Sequence, residues 1–448
     1  MRQGQDTPIS VTQLLDEGRF SLVQLGVVIL AALAIVLDGF DGQLIGFAIP
    51  AILKEFGASR TEFAPIVAIG LVGMGLGSFA AGPFGDRFGR RLATIISVAV
   101  FGLATVLIGG AETLWHIGVL RFIAGLGIGG ALPSAAVAVA ELTPRRYRTI
   151  AVTTTIVCVP AGGIFAGLFA AAVLPTLGWR TFFHIGGLAA VVFSLVLLVL
   201  LPESPRWLAT RPKDWPRLAR FLARIGHPSP EGAAFIDDLT ETPPSKGFAS
   251  LFKDGFAAST LPLWAAFFLT LFAVYSMFSW LPTLLTGMGW TSPEASYGLT
   301  LYNLGGVVGA VLCAIAITRF GSRWPLIVSC LFSALSAGVI VSANPGPDAR
   351  TLVLVAVCAN GLFVNAVQAT LYAVTANLYP TSVRATGSAG ALAFGRLGAI
   401  TSALAGAATM TQWGVTGFFS ALAVSSIGGM IALALLPRHI EPAFGVRP

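Results

Sequence analysis

Twelve apolar runs, each long enough to cross a bilayer, divide this chain of 448 residues. They fall near 22–49, 62–83, 92–110, 114–140, 149–174 and 180–201, and again near 257–286, 295–318, 324–343, 349–378, 383–408 and 412–436. About 20 residues of helix cross a hydrocarbon core. Lipid offers no partner to an unpaired backbone group, so runs of this kind must be helical. The layout is six plus six with a polar stretch between. The sequence therefore predicts an all-α integral membrane protein of twelve transmembrane helices in two six-helix bundles. Residues 1–201 form the first bundle, 202–256 a cytoplasmic linker and 257–448 the second bundle.

Composition excludes the other classes. Apolar residues make up 55% of the chain and charged residues 10%, where soluble domains carry about 25% charged residues. A soluble enzyme, a disordered chain and a secreted disulfide scaffold are ruled out. An outer-membrane barrel would alternate polar and apolar residues. The first apolar run follows a polar tail and lacks a small-residue cleavage site, so it reads as a retained helix. Cys158, Cys313, Cys330 and Cys358 sit in apolar runs without metal-ligand spacing. His116, His184, His227 and His439 are scattered and form no constellation with acids or thiols. No metal site, catalytic residue or cofactor is expected, and the chain does not read as an enzyme. Gly125-Leu-Gly-Ile-Gly-Gly130 fits a dinucleotide pattern, but it lies inside an apolar helix with no preceding strand. Close helix packing is the better account.

Basic residues set the orientation. With both termini cytoplasmic, 21 of the 27 Lys and Arg lie on the inner side and 4 on the outer side. Arg121 and Arg396 lie within spans. This asymmetry follows the positive-inside rule, and it explains the net charge of +7 through contact with an anionic leaflet. No nucleic-acid partner is needed.

Loop 2–3 contains Gly85-Asp-Arg-Phe-Gly-Arg-Arg91, and loop 8–9 contains Arg319-Phe-Gly-Ser-Arg323. Both follow the second helix of their half and share Arg-Phe-Gly before a further Arg. Such a repeat is expected of a transporter built from two related bundles, with its substrate site between them.

Asp38 and Asp41 stand in the first span. Three residues apart, they point about 60° apart around a helix of 3.6 residues per turn, toward one face. A carboxylate in mid-membrane is costly and faces a cavity or a partner. Two together repel, and a bound proton relieves the repulsion, which suits a proton carrier. A structural ion pair or a helix-end cap is the alternative. Arg121 and Arg396 can each clamp a carboxylate through two parallel hydrogen bonds. The competing readings are an ion pair with Asp38 or Asp41 for Arg121, and backbone bonding for Arg396. Glu141 reads as a gate or loop ion pair with Arg148. Aromatic and amide residues of the spans, Phe40, Tyr275, Trp280, Tyr302, Asn303, Asn365, Gln368 and Tyr372, suit a flat ring and its polar substituents. Among them Tyr302, Gln368 and Trp280 are the leading candidates beside the two arginines.

The loop motif at 85–91 resembles the signature of the major facilitator superfamily, as does Glu141-Leu-Thr-Pro-Arg-Arg-Tyr-Arg148. Pro202-Glu-Ser-Pro-Arg-Trp207 resembles the segment after helix 6 in many symporters. Asp38-Gly-Phe-Asp41, Ser279-Trp-Leu-Pro-Thr-Leu-Leu285, Tyr379-Pro-Thr-Ser-Val-Arg-Ala-Thr-Gly387 and Gly395-Arg-Leu-Gly-Ala-Ile400 resemble the aromatic acid:proton symporter family. The resemblance implies a proton-coupled importer of a small aromatic carboxylate, working by alternating access as a monomer in a bacterial inner membrane. It implies gating by Asp86, Arg87, Arg90, Arg91, Glu141 and Arg148, with Asp86 meeting the amino end of helix 11. A drug or metabolite exporter and a sugar or polyol symporter are the rivals. Val159-Pro-Ala-Gly-Gly163 matches the exporters' pattern poorly, and an uncharged sugar gives no reason for two arginines within spans.

Overall fold

The structure is a computed structural model that describes residues 8–18, 20–230, 232–237, 248–252, 256–342, 349–379 and 381–442. It opens with a short strand β1 (Ile9–Ser10) and helix α1 (Val11–Glu17). The helices α2 (Leu22–Phe56), α3 (Arg60–Phe88), α4 (Arg90–Ile108), α5 (Leu114–Leu142) and α6 (Arg145–Leu200) follow. The segment between the halves carries α7 (Pro205–Ala209), α8 (Trp215–Arg224) and β2 (Phe235–Ile236). The second half consists of α9 (Ala257–Gly287), α10 (Ser292–Phe320), α11 (Arg323–Ser342), α12 (Arg350–Leu378) and α13 (Thr381–Leu435).

Among the described residues, ten helices are long and apolar enough to cross a membrane. Two of them each hold two of the twelve expected spans. α6 turns back at Gly178 (φ 75°, ψ 173°) and α13 at Gly414 (φ 61°, ψ −147°). These backbone angles are open to glycine at little cost, so a single residue replaces the loop expected between spans 5 and 6 and between spans 11 and 12. The chain is a multi-pass membrane protein of the twelve-span fold.

The helix starts follow local chemistry. Ser21, Ser59 and Thr291 each form a capping box with Gln24, Glu62 and Glu294, satisfying amides that the first turn leaves without partners. One departure from helix is a parallel pairing of β1 with β2, Ile9 opposite Phe235 and Ser10 opposite Ile236. It ties the start of the chain to the linker. Hydrophobic patterning of the spans gave no sign of it.

Small residues bring the helices together, and they do so twice. Gly73 and Gly77 of α3 lie against the backbone of Phe122 and Leu126 in α5, where a Cβ would overlap a carbonyl oxygen. Gly305 and Gly309 of α10 lie in the same way against Cys358 and Leu362 of α12. These helices are the second and fourth spans of their respective halves, so the faint repeat in the loops has a counterpart in the packing. With no hydrophobic driving force between helices in lipid, such close approach is a main source of association. The halves meet through Gly46 on Phe278 and Gly167 on Thr300, at the end remote from the linker.

Candidate functional site

A cavity of about 100 Å³ lies between the halves at mid-span. α2 contributes Asp38 and Gln43, α3 Met74, α9 Tyr275 and Phe278, α12 Asn365, Gln368 and Tyr372, and α13 Arg396. A dry cavity of about 150 Å³ accepts benzene, so this space of about 100 Å³ approaches one-ring scale. Its wall is apolar and aromatic, with a few polar groups converging on it, as in most small-molecule sites.

The charges are disposed unequally. Arg396 donates through Nη1 to the Tyr275 hydroxyl at 2.9 Å, with Met74 Sδ at 2.7 Å from the same nitrogen. Asp38 lies within the field of Arg396, yet no ion pair closes between them among the described residues. Asp38 Oδ1 is buried and unpartnered. The cavity thus holds one carboxylate and one guanidinium that do not satisfy each other.

Asp41 does not share this site. Its side chain, 1% exposed, turns into the first half beside Arg121 and Thr105, and neither of its oxygens accepts a hydrogen bond. The expectation of one shared face is corrected. The angle of about 60° between residues three apart suffices to send one acid to the cavity and the other behind it.

Arg121 also departs from expectation. Its Nη1 reaches the Asp41 carbonyl oxygen at 3.4 Å, and its guanidinium lies over the Phe183 ring at 5.2 Å. It lines a smaller cavity of about 40 Å³ next to the main one. Trp280 and Tyr302 lie behind the wall. Trp280 donates Nε1–H to the Ala403 carbonyl at 3.1 Å. Tyr302 packs edge-on against Phe278 at 5.8 Å, with its hydroxyl beside Asn365. Neither ring reaches the main cavity, because a fully buried Trp or Tyr in a close-packed bundle fills space between helices. Gln368 and Arg396 do line it.

At the linker end, Arg90 joins α3, α4 and α5. It contacts Asp86 at 2.5 Å and Glu141 at 3.4 Å. Arg148 pairs instead with Asp16 of α1. The expected Glu141–Arg148 pair is therefore corrected: Thr143 and Pro144 break the helix between them, so the two side chains leave on different elements. The Arg87 carbonyl accepts from Arg211 Nη2 at 2.5 Å, and the Asp86 carbonyl accepts from Trp207 Nε1 at 3.0 Å. Arg91 offers its backbone N–H to Glu203 at 3.0 Å. Burial pushes the Glu203 carboxyl above the usual carboxylate range, and the amides of Arg91 and Ser204 hold it back. The expected partner of Asp86, at the amino end of the eleventh span, falls among residues 381–385, most of whose side chains lie outside the described residues.

Sequence reasoning missed Gln43, Glu203 and Asp16. The signal for Gln43 was available, since an amide in mid-span needs a partner as much as Gln368 does. Glu203 stands in the Pro202–Trp207 motif, where spacing alone points to no partner. Asp16 gave no signal, because its role depends on how the amino-terminal segment folds back.

Two helical bundles closing on a cavity near one-ring scale that holds unsatisfied charge make a membrane transporter. The sequence profile described as Major Facilitator Superfamily matches residues 31–298 and 284–446, and the chain belongs to that family. It is 32% identical to a gallate transporter of Pseudomonas putida, over 94% of this chain and 96% of that protein. It is 33% identical to the 4-hydroxybenzoate transporter PcaK of Pseudomonas aeruginosa, over 89% of each. Among solved structures it superposes on the xylose transporter XylE from E. coli, in a partially occluded inward open conformation. That match has a TM-score of 0.72 at 16% identity and covers 94% of this chain and 99% of the other.

Proposed function

We propose that this transporter is a proton-coupled symporter that imports a small aromatic carboxylate across the inner membrane of a bacterium. Asp38 and Arg396, unpaired with each other in a cavity near one-ring scale walled by Tyr275, Phe278 and Tyr372, carry this reading. The guanidinium attracts the substrate carboxylate and the aromatic faces take the ring. Asp38 carries the proton, and Asp41 with Arg121 is the polar core behind it. The relatives named for gallate and 4-hydroxybenzoate support the substrate class.

Importing an anion against a negative-inside potential is uphill by about 2.3 kcal/mol per charge per 100 mV. One accompanying proton cancels that electrical cost. The linker and both termini are cytoplasmic in this reading, supported by the basic residues on that side. The halves then meet on the external side, and the chain stands inward-facing. Alternating access rocks the halves about the central site, with Asp86, Arg87, Arg90, Arg91, Glu141 and Arg148 acting at the cytoplasmic end. One chain encloses a whole cavity, so a monomer suffices.

Uptake of labelled 4-hydroxybenzoate into proteoliposomes tests the proposal. Accumulation should follow an inward proton gradient and collapse with a protonophore, using protein-free liposomes as the blank for passive entry of the neutral acid. Uptake indifferent to the gradient, or equal in the blank, would overturn it.

A further inference from the structure

A second cavity, of about 560 Å³, lies at the linker end of the sixth span, between the first turn of α4, the last turn of α6 and α8. Its two sides differ in chemistry. Leu198, Val199 and Leu200 form the apolar side with Leu92, and Val199 and Leu200 are 80% and 59% exposed. They close a membrane span, so that exposure is to lipid. Arg91, Arg217, Arg220 and Arg224 form the basic side.

α8 is amphipathic. Leu218, Phe221 and Leu222 are buried beneath it, while the spacing of Arg217, Arg220 and Arg224 at i, i+3 and i+7 sets three guanidinium groups along one face. The opposing charges are already engaged or weak. Glu203, which also lines the cavity, accepts from the backbone amides of Arg91 and Ser204 at 3.0 and 2.9 Å. Asp214 meets Arg217 only at 3.4 Å, on the exposed surface, where such pairs contribute little. Arg91 donates Nη2–H to the Leu198 carbonyl at 2.5 Å, and its Nε is buried with no partner. Three guanidinium groups of α8, with Arg91 anchored on the Leu198 carbonyl, therefore edge a groove whose other wall is mostly aliphatic side chains. A soluble anion has no use for that wall, and a neutral lipid has no use for the arginines.

We propose that this groove binds an anionic phospholipid of the adjoining leaflet. Arg91, Arg217, Arg220 and Arg224 hold the headgroup phosphate, and an acyl chain lies along Leu92, Leu198 and Val199. Basic pockets beside spans at the cytoplasmic surface have the right charge for such headgroups.

The test is native mass spectrometry of the full chain, titrated with phosphatidylglycerol and with phosphatidylcholine of the same acyl chains. Phosphatidylglycerol should be retained as a single tight adduct. The triple variant Arg217→Gln, Arg220→Gln, Arg224→Gln should weaken that adduct roughly ten- to a hundredfold. A control that removes three exposed basic charges elsewhere, Arg145→Gln, Arg146→Gln, Arg319→Gln, should leave it within about twofold, as expected if bulk attraction contributes little. Val199→Trp alters an 80% exposed position; by filling the acyl track it should also loosen the adduct, which keeps the idea testable if the triple variant does not fold. Equal retention of phosphatidylcholine, equal loss in both triple variants, or displacement by millimolar inorganic phosphate would each overturn the proposal.

Discussion

The side-chain amides of Gln43 and Asn303 exchange two hydrogen bonds across the interface between the halves, at 3.1 and 2.8 Å. Both residues are buried, at 3% and 0% exposure. Gln43 lines the cavity, so the pair closes its wall on the side remote from the linker. That side cannot open unless both bonds break.

Gln43→Ala should therefore favour the state open at that end. In the closed state the variant leaves the Asn303 amide short of a partner, a penalty of about 1–3 kcal/mol, whereas water satisfies that amide once the end opens. A shift of roughly five- to a hundredfold in the conformational ratio follows. Alkylation of Thr300→Cys, buried between the halves, should speed up in the Gln43→Ala background. The double variant Gln43→Leu, Asn303→Leu removes both polar groups, so it should return the rate toward the parent's. An unchanged rate in the single variant would show that the amides do not hold this end.

The fold was legible because its cause is local. Each apolar run had to be a helix, because lipid leaves a backbone group no other partner. The cavity was legible only in part. Asp38, Gln368 and Arg396 announced themselves as polar groups in mid-span. Arg121, Tyr302 and Trp280 gave the same signal and proved to lie behind the wall. Burial in the bundle and exposure to the cavity are both costly for a polar group, and sequence does not tell them apart. The difference depends on helix rotation, and a rotation of 60° separates Asp38 from Asp41. The Arg148–Asp16 pair depends on the amino-terminal segment folding back, which no periodicity encodes.

The two acids should differ in function because they differ in surroundings. Asp38→Asn should abolish uphill accumulation while leaving counterflow exchange of labelled for unlabelled substrate, since the neutral side chain mimics one protonation state. Asp41→Asn removes the charge facing Arg121 inside the first half and leaves a buried cation uncompensated, an error worth about 3–5 kcal/mol. It should lower thermal stability in detergent, and Asp38→Asn should not. Reversed outcomes, with Asp41→Asn stable and exchanging but uncoupled, would move the coupling role to Asp41.

Glu203 should carry a pH-dependent cost. Burial disfavours its charged form, so the folded chain binds this proton more tightly than the unfolded chain does. Its contribution to stability is therefore fullest below the usual carboxylate range and is lost as pH rises through the raised value. Glu203→Gln keeps an acceptor for the Arg91 and Ser204 amides without the charge. It should match the parent in acid and equal or exceed it at neutral pH. Glu203→Ala leaves those amides without the acceptor and should cost about 1–3 kcal/mol. Melting curves of the three proteins at two pH values decide the matter; a Glu203→Gln variant that is less stable than the parent at neutral pH would mean that the carboxylate charge itself is needed at the start of α4.

Arg396 should read the substrate's charge before its ring. Its Nη1 is already committed to the Tyr275 hydroxyl at 2.9 Å, which fixes the plane of the guanidinium and leaves its other N–H groups for an incoming carboxylate. Arg396→Lys keeps the charge and loses the planar fork. A charge-assisted hydrogen bond is worth about 1.5–3 kcal/mol, so affinity should fall roughly ten- to a hundredfold while acids remain preferred over amides. Tyr275→Phe removes one neutral orienting bond, worth about 0.5–1.5 kcal/mol, and should weaken binding by roughly two- to tenfold. In the parent protein, 4-hydroxybenzoate should compete with labelled substrate far better than 4-hydroxybenzamide, because the amide leaves the guanidinium desolvated and unpaired. A hexose should compete poorly, since an uncharged sugar brings no carboxylate to the Arg396 guanidinium. Equal competition by acid and amide would remove Arg396 from the recognition step, and strong competition by the hexose alone would make this transporter a sugar carrier.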